Sequence, residues 1–432
     1  MSLAIDGLAS GLDTSNIISQ LMEIERRPIR LLEVRRNEMQ QRMDAWRDIN
    51  SRLNRLDNLM ADLVRSGTYE GRKVTSSNAD VATATAANRA EPAVYTVEVE
   101  QLATAHRLAI DEAGLSNLVG DIQINGVRIT VNEGMSVADL AAAIKNAEDD
   151  IGVRATVIAG TLVLESKTTG TEGAIKLLRL NGEESVDITD QYQMDGGEAK
   201  DAVFFINGVR VERSSNTISD AVEGITFQLR DTGTTVITVS QDVDEVISRI
   251  QAFVDQYNSA MEFMREKLAE GAILQGDATL MRLQMGLRQA VLDRVSTSGG
   301  LNQLAQIGIT ATREGRLEFD QAKFREAFQE NPSAVKELFA GDGEHGGAIG
   351  RAREYLKNYI QAQTGIIAGR QEMLSGQVET IKDNIERMEA RLERRAEMLY
   401  RQFAALEQAL AQLQSQSNWL QMQLQQFVPA AR

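Results

Sequence analysis

The 432-residue sequence has no cysteine and only two histidines, His106 and His345. Without cysteine there are no disulfides, thiolate nucleophiles or cysteine-bound zinc. Two histidines far apart cannot build a histidine triad or a multi-histidine metal site, and both read as ordinary surface or loop residues. Proline occurs four times and aromatic residues make up 5% of the chain, so the cores must be aliphatic and many contacts helical. No apolar run reaches the ~20 residues that span a bilayer. Residues 1–16 lack a basic start followed by an apolar stretch, so a cleaved secretory signal is not expected. A basic excess is missing too. Lys and Arg number 46 against 62 Asp and Glu, a net charge of -16, which argues against a sequence-independent grip on nucleic acid.

The length that remains exceeds what one hydrophobic core fills, so several domains are expected. Asp13-Thr14-Ser15-Asn16 supplies capping oxygens for a helix starting near Ser15, with Ile17, Ile18, Leu21 and Ile24 on one face. Pro28 lacks an N–H, so it kinks or ends that helix, and it suits the first turn of a second. The second helix carries Leu32, Met39, Trp46, Ile49, Leu53, Leu56, Met60 and Leu63 at three-four spacing up to Ser66-Gly67, with Arg35 and Arg42 in the same seam. At 1.5 Å per residue it would run roughly 60 Å. The front of this seam is imperfect and its rear clean, as if the front half has a different or later partner.

From about Val74 to Val239 the period is two, as in Tyr95, Val97 and Val99 against Thr96, Glu98 and Glu100. Ile225 to Leu229, Asp231-Thr232-Gly233 and Val236 to Val239 read as a hairpin. Ile124-Asn125-Gly126-Val127-Arg128-Ile129 recurs 82 residues later as Ile206-Asn207-Gly208-Val209-Arg210-Val211. Asn-Gly between β-branched residues supplies the positive φ of a tight hairpin, so the echo marks two related β-rich units. A short helix is expected after each copy, at Ser136 to Ile144 and at Ser219 to Val222.

Helical spacing returns from Asp244, with further helices around Ala278 to Arg294, Gln321 to Gln329 and Pro332 to Phe339, and a small hairpin at Glu314 to Phe319. The last helix carries Ile381, Ile385, Met388, Leu392, Leu399, Phe403, Leu406, Leu410, Leu413, Leu420, Leu424 and Phe427. Two successive fours from Met388 to Ala396 form a stutter that unwinds a supercoil locally. From Val378 to Phe427 it would measure about 75 Å.

No catalytic constellation emerges. Gly341-Asp342-Gly343-Glu344-His345-Gly346 matches GxGxxG but follows a helix and not a strand, so a connector is the better reading. The arginines between Arg26 and Arg55 are interleaved with Glu33, Glu38, Asp44 and Asp48 at ion-pair spacings. No cofactor and no enzymatic activity are expected. The fold class expected is α+β and multidomain: long terminal helices forming a coiled-coil or helical-bundle stalk, with β-rich domains inserted between them. The division expected is 1–27 with 414–432 as terminal assembly helices, 28–70 with 244–413 as the helical stalk, 74–118 with 196–243 as one β-rich domain, and 119–195 as a second.

Three separated motifs add a family resemblance over nearly the whole chain. Gly7-Leu8-Ala9-Ser10-Gly11-Leu12-Asp13-Thr14 followed by Gln20 to Pro28, Leu304 to Phe339 with its Gly308-Ile309-Thr310 and Asn331-Pro332, and Arg401 to Leu406 with Gln414 to Leu420 resemble the flagellar filament cap family, the hook-associated protein 2 family. Where that family commonly has Asn and Tyr, this chain has Gln414 and Trp419. The resemblance implies a secreted structural protein at the distal tip of the bacterial filament, exported without a cleaved signal peptide. It implies self-association into a ring of about five subunits, guidance of flagellin into the filament, contacts with other hook-associated proteins and an export chaperone. The assembly helices would then be those of Ile17, Ile18, Leu21, Ile24, Leu413, Leu420, Leu424 and Phe427, with the seams at Ile18, Leu21, Leu413, Leu420 and Leu424 unsatisfied in the monomer. The alternatives are an adhesin that binds host mucin or a receptor through the acidic β-units, an enzyme using a carboxylate pair, and a cytoplasmic coiled-coil scaffold.

Overall fold

The computed structural model describes residues 11, 13–341 and 346–427, with side chains described up to residue 423. It divides into two compact units, Met1–Arg65 with Ile247–Arg432, and Ser66–Val246.

The chain enters through α1 (Thr14–Glu25), whose start is capped by the Asp13 carboxylate accepting from the Asn16 N–H at 2.9 Å. Arg26 alone separates it from α2 (Arg27–Val64), which has Pro28 in its first turn. Proline there gives up an N–H that would be unpaired in any case, so Pro28 produces a one-residue break and not a loop.

The β unit follows in chain order: β1 (Arg72–Ser76), β2 (Ala82–Ala86), β3 (Ala93–Gln101), β4 (Ala105–Ile110), α3 (Glu112–Ser116), β5 (Gly120–Ile124), β6 (Val127–Val131), α4 (Val137–Asn146), α5 (Glu148–Ile151), β7 (Val153–Ile158), β8 (Thr161–Thr169), β9 (Leu177–Asn181), β10 (Glu184–Asp187), β11 (Ala202–Ile206), β12 (Val209–Arg213), β13 (Thr217–Val222), β14 (Ile225–Leu229) and β15 (Gly233–Gln241). A five-stranded sheet, β1-β15-β3-β11-β12, and a three-stranded one, β13-β14-β2, supply one core, centred on Phe204, Phe227, Val97 and Ile237. Tyr95 meets Phe227 edge to face at 6.1 Å, the arrangement favoured by the ring quadrupoles. The sheets β10-β9-β5-β6 and β4-β8-β7, with α4 laid on them, enclose a second core of Leu108, Ile122, Leu140, Leu164 and Leu177.

Three expectations for the elements of this unit need correcting. β14 does not form a hairpin with β15; it pairs with β2 and β13, while β15 pairs with β1 and β3. Ser219 to Val222 is strand β13 and not a helix, because its residues complete the edge of that sheet. Residues 105–110, expected in the 74–118 segment, pair with β8 and put Leu108 and Ile110 into the second core. By contrast Ser136 does start α4, through a capping box with Asp139.

The Asn-Gly echo is explained by its contacts. Asn125 and Asn207 have φ of 46° and 50°, as both hairpins require. Each also latches onto a neighbouring segment. Asn125 donates its N–H to the Lys176 carbonyl at 3.0 Å and accepts the Lys176 N–H on its side-chain oxygen at 2.8 Å. Asn207 makes the same pair with Thr96, at 2.9 and 2.8 Å. His106 is buried, not a surface residue. Its Nδ1 accepts the Ile175 N–H at 2.8 Å, so Nε2 carries the hydrogen and donates to Gln193 Oε1 at 2.6 Å.

The helical unit resumes with α6 (Val243–Leu268), α7 (Ala278–Leu292), the hairpin β16 (Ile309–Ala311) and β17 (Leu317–Phe319), α8 (Gln321–Glu330), α9 (Pro332–Ala340), α10 (Ala348–Ile360) and α11 (Ile366–Phe427). Asp277, Asp320 and Asn331 cap α7, α8 and α9 with side-chain oxygens, which is why their starts were legible. Helix α10 was not expected, although Ile349, Ala352, Leu356 and Tyr359 form a buried three-four stripe. Helix α11 is continuous over 62 residues, about 93 Å at 1.5 Å per residue. Gly341 and Gly346 bridge each other across the GxGxxG segment, whose His345 lies outside the described residues.

Candidate assembly surface

The helical unit contains two kinds of helix surface, and α2 has both. Its rear half is closed. Trp46, Ile49, Leu53, Leu56, Met60 and Leu63 are all buried; α9 and α10 lie alongside, and α6 is hydrogen-bonded to this half. The bonds that fix this half are Arg52 donating to Ser259 Oγ at 2.9 Å, Gln256 donating to the Arg52 carbonyl at 2.9 Å, and Arg353 bidentate on Asp57 at 2.9 and 3.4 Å. The Arg353 and Asp57 side chains are 27% and 15% exposed, so this pair is screened less than a surface bridge.

The front half of α2 runs antiparallel to α11. Ile29, Ile381 and Ile385 form a small buried cluster with Leu32, Met39, Met388 and Leu392 packed on it. The imperfect front of the seam therefore has its partner inside the chain, and Arg35 and Arg42 sit exposed beside it. The coiled-coil stalk expected of the two long helices is two interfaces: the cluster with α11 takes in α2 residues from Ile29 to Met39, while the half from Trp46 to Leu63 has α9 and α10 alongside. A groove of about 560 Å³ stays open along this pair, lined by Leu32, Met39, Met373 and Ile381. Gly376 lies on the same groove, and a Cβ there would meet nothing within 4 Å.

Helix α1 folds back on the same α11. Ile18 is 1% exposed, which corrects its assignment as a residue left unsatisfied in the monomer. Glu25 approaches Arg395 at 3.8 Å, and Glu23 bridges to Arg30 at 3.0 Å across the break at Arg26. Both bridges are solvent-exposed and worth at most about 1 kcal/mol each, so the burial of Ile18 is the principal anchor. A helix of 12 residues is marginal by itself. A wider groove of about 880 Å³ follows, lined by Ile18, Met22, Arg26, Arg30, Leu392 and Tyr400.

What α1 turns away from α11 is apolar. Ile17, Leu21 and Ile24 are 37%, 40% and 57% exposed, and Leu31 and Val34 continue the stripe on α2 at 71% and 56%. The last two were missed in the sequence, though they carry on the three-four spacing beyond Ile24. At the other end, Leu399, Phe403 and Leu410 are half-buried, Leu406 is exposed, and residues 411–423 are exposed on every side. Leu413, Trp419, Leu420 and Met422 are 60%, 57%, 54% and 59% exposed. The side chains of Leu424 and Phe427 lie outside the described residues.

The titratable groups with displaced pKa values are structural. Burial pushes the Tyr257 hydroxyl up to about 12 and raises Tyr69 well above its ordinary value. Hydrogen bonds from Ser136, Lys167, Thr189 and Arg213 hold Asp139, Asp149, Asp187 and Asp220 below the usual carboxylate range. Among the described residues no group of three His, Cys, Asp or Glu side chains comes together for a metal ion, and no helix is long and apolar enough to cross a membrane.

Comparison with known proteins points one way. The model of the flagellar hook-associated protein 2 C-terminus matches residues 199–415, that of the same family's N-terminus matches residues 10–106, and the flagellin hook IN motif matches residues 117–168. The chain is 26% identical over 410 residues to the A-type flagellar hook-associated protein 2 of Pseudomonas aeruginosa, covering 83% of this chain and 84% of that one. It is 30% identical over 267 residues to flagellar hook-associated protein 2 of Salmonella typhimurium, covering 59% and 56%. The crystal structure of the D1-D2-D3 domains of the flagellar cap protein FliD from Escherichia coli superposes with a TM-score of 0.59 at 27% identity, over 76% of this chain and 99% of that one.

Proposed function

Because the chain belongs to the flagellar hook-associated protein 2 family, a structural and not an enzyme family, we propose that it caps the distal end of the flagellar filament as a ring of its own copies. The ring promotes ordered incorporation of flagellin and prevents its loss. The observation that carries this reading is the outward apolar stripe at both chain ends, Leu21 and Ile24 on one side and Leu413 and Leu420 on the other. Full burial of one such side chain contributes about 1.5–3 kcal/mol, so a few of them buried against neighbouring copies or filament subunits hold an assembly that the monomer does not need. The division of labour follows: residues 1–27 and 414–432 serve assembly, the helical unit between them forms the stalk, and the β modules are separately folded bodies. Export through the flagellar apparatus, with a chaperone covering the C-terminal helix and other hook-associated proteins beneath the ring, fits this arrangement.

The test is a strain carrying Leu413→Asp with Leu420→Asp. Short filaments with flagellin shed into the medium, and purified protein that sediments only as monomer, are expected. Normal filaments from a strain lacking the protein altogether would remove the cap reading.

A further inference from the structure

Three Asn-Gly pairs occur in the chain, at 125–126, 181–182 and 207–208, and the fold treats them differently. Asn125 and Asn207 lie in the left-handed region, and their carboxamides are tied. The Asn125 oxygen accepts from the Lys176 N–H at 2.8 Å and its Nδ2 donates to the Ile151 carbonyl at 3.0 Å, while the Asn207 oxygen accepts from the Thr96 N–H at 2.8 Å. Asn181 ends strand β9 opposite Glu184 with an exposed side chain and without a positive φ. Among the described residues its carboxamide has no hydrogen-bond partner, and the Gly182 amide donates no backbone hydrogen bond.

We propose that Asn181 is the site at which this protein deamidates spontaneously. The Gly182 amide nitrogen attacks the Asn181 side-chain carbonyl carbon and loses its proton to solvent. The new C–N bond closes a five-membered succinimide, and the side-chain nitrogen leaves as ammonia. Water then opens the ring at either carbonyl, giving aspartate or isoaspartate. Glycine at the following position puts no Cβ in the way of ring closure. At Asn125 and Asn207 the carboxamide must first break its hydrogen bonds and the residue must leave its turn, so reaction there waits on local opening. Each such bond lowers the reactive population by a factor of several, and conversion at Asn181 is therefore at least about tenfold faster than at the other two.

The product has a structural meaning. It adds a negative charge beside Glu183 and Glu184. Isoaspartate also inserts a methylene into the main chain at the turn that aligns β10, an edge strand whose only neighbour in its sheet is β9. The aged protein thus carries an acidic isoform with a loosened β10.

The experiment incubates the full chain in mildly alkaline buffer and maps isoaspartate by peptide mass spectrometry, with a urea-unfolded sample alongside. Conversion concentrated at Asn181 in the folded chain, and at all three sites in the unfolded one, is expected. Equal conversion at the three sites in the folded chain, or none at Asn181 while the unfolded chain converts, overturns the proposal. Gly182→Ala should slow conversion at Asn181 severalfold. Because Gly182 has a φ of +70° that alanine tolerates poorly, Asn181→Ser serves as the second variant and should remove the acidic isoform. An acidic isoform that persists in Asn181→Ser puts the modification elsewhere and overturns the assignment.

Discussion

In the β modules the chain encloses its own apolar groups: Phe204 and Phe227 are 0% exposed in one core, and Leu140 and Leu164 in the other. At the outer ends of α1 and α11 the same kinds of side chain, Ile24 and Leu413, are 57% and 60% exposed. Both regions mark out an apolar face, with period two in the strands and three-four spacing in the helices, but only one supplies a second surface to bury it. Isolated amphipathic helices gain little stability without a partner, whereas a two-sheet core is complete within one chain. The modules thus close their cores within one chain, and the helical ends leave theirs open to solvent.

The largest expected effect lies where the core is closed. Phe227→Ala removes a fully buried ring and its contact with Tyr95, and should destabilise the β unit by about 3–5 kcal/mol in urea unfolding. A loss under about 1 kcal/mol would mean that the two sheets are not joined as described. Next, Asp57→Ala leaves the partly buried Arg353 without its bidentate partner; about 1–3 kcal/mol should be lost from the helical unit. Asn207→Ala loses both the latch to Thr96 and the tolerance for positive φ, and should cost about 1–3 kcal/mol. Asn207→Gly keeps the turn and loses only the latch, so the difference between the two variants separates the causes.

At the open end the expectation reverses. Leu413→Asp with Leu420→Asp should change monomer stability by no more than about 0.5 kcal/mol while abolishing assembly. Removing residues 1–13 and 414–432 should leave the calorimetric transition of the β unit in place. If that truncation melts the β unit, the contrast between closed and open regions is wrong.

The smallest effect is set by pH. Asp139, Asp149, Asp187 and Asp220, all in the β unit, are held below their ordinary pKa by hydrogen bonds. For a carboxylate whose folded pKa is depressed, the stability it contributes is complete above the unfolded value of about 4 and is lost as pH falls through the folded one. The β unit should therefore weaken below about pH 4. Asp220→Asn should flatten that slope slightly while changing little at pH 7.

Local features were legible in the sequence for a local reason. Asn-Gly turns, the caps at Asp13, Ser136 and Asn331, and an interruption at Pro28, though not whether it is a kink or a break, depend on a few neighbouring φ and ψ angles and on side chains reaching one to three residues away. Partner choice was not legible. The stretch from Ile225 to Leu229 alternates as well for a hairpin with β15 as for its actual place beside β2, and only the closing of the sheet around Phe227 selects the distant strand. Buried His106 shows the same limit, since its two ring partners come from residues 69 and 87 positions away.

By itself, then, the sequence determined that long apolar stripes end this chain and that β-rich units interrupt it, because helix and strand periodicity are written residue by residue. The tertiary structure alone decided which stripe is spent. Ile18 and Ile24 have the same composition and differ by six positions, yet one faces α11 and the other solvent. Six positions are about 600° of helix, so the two side chains point roughly 120° apart. Which of those two faces is covered is decided by α11, which packs against only one of them.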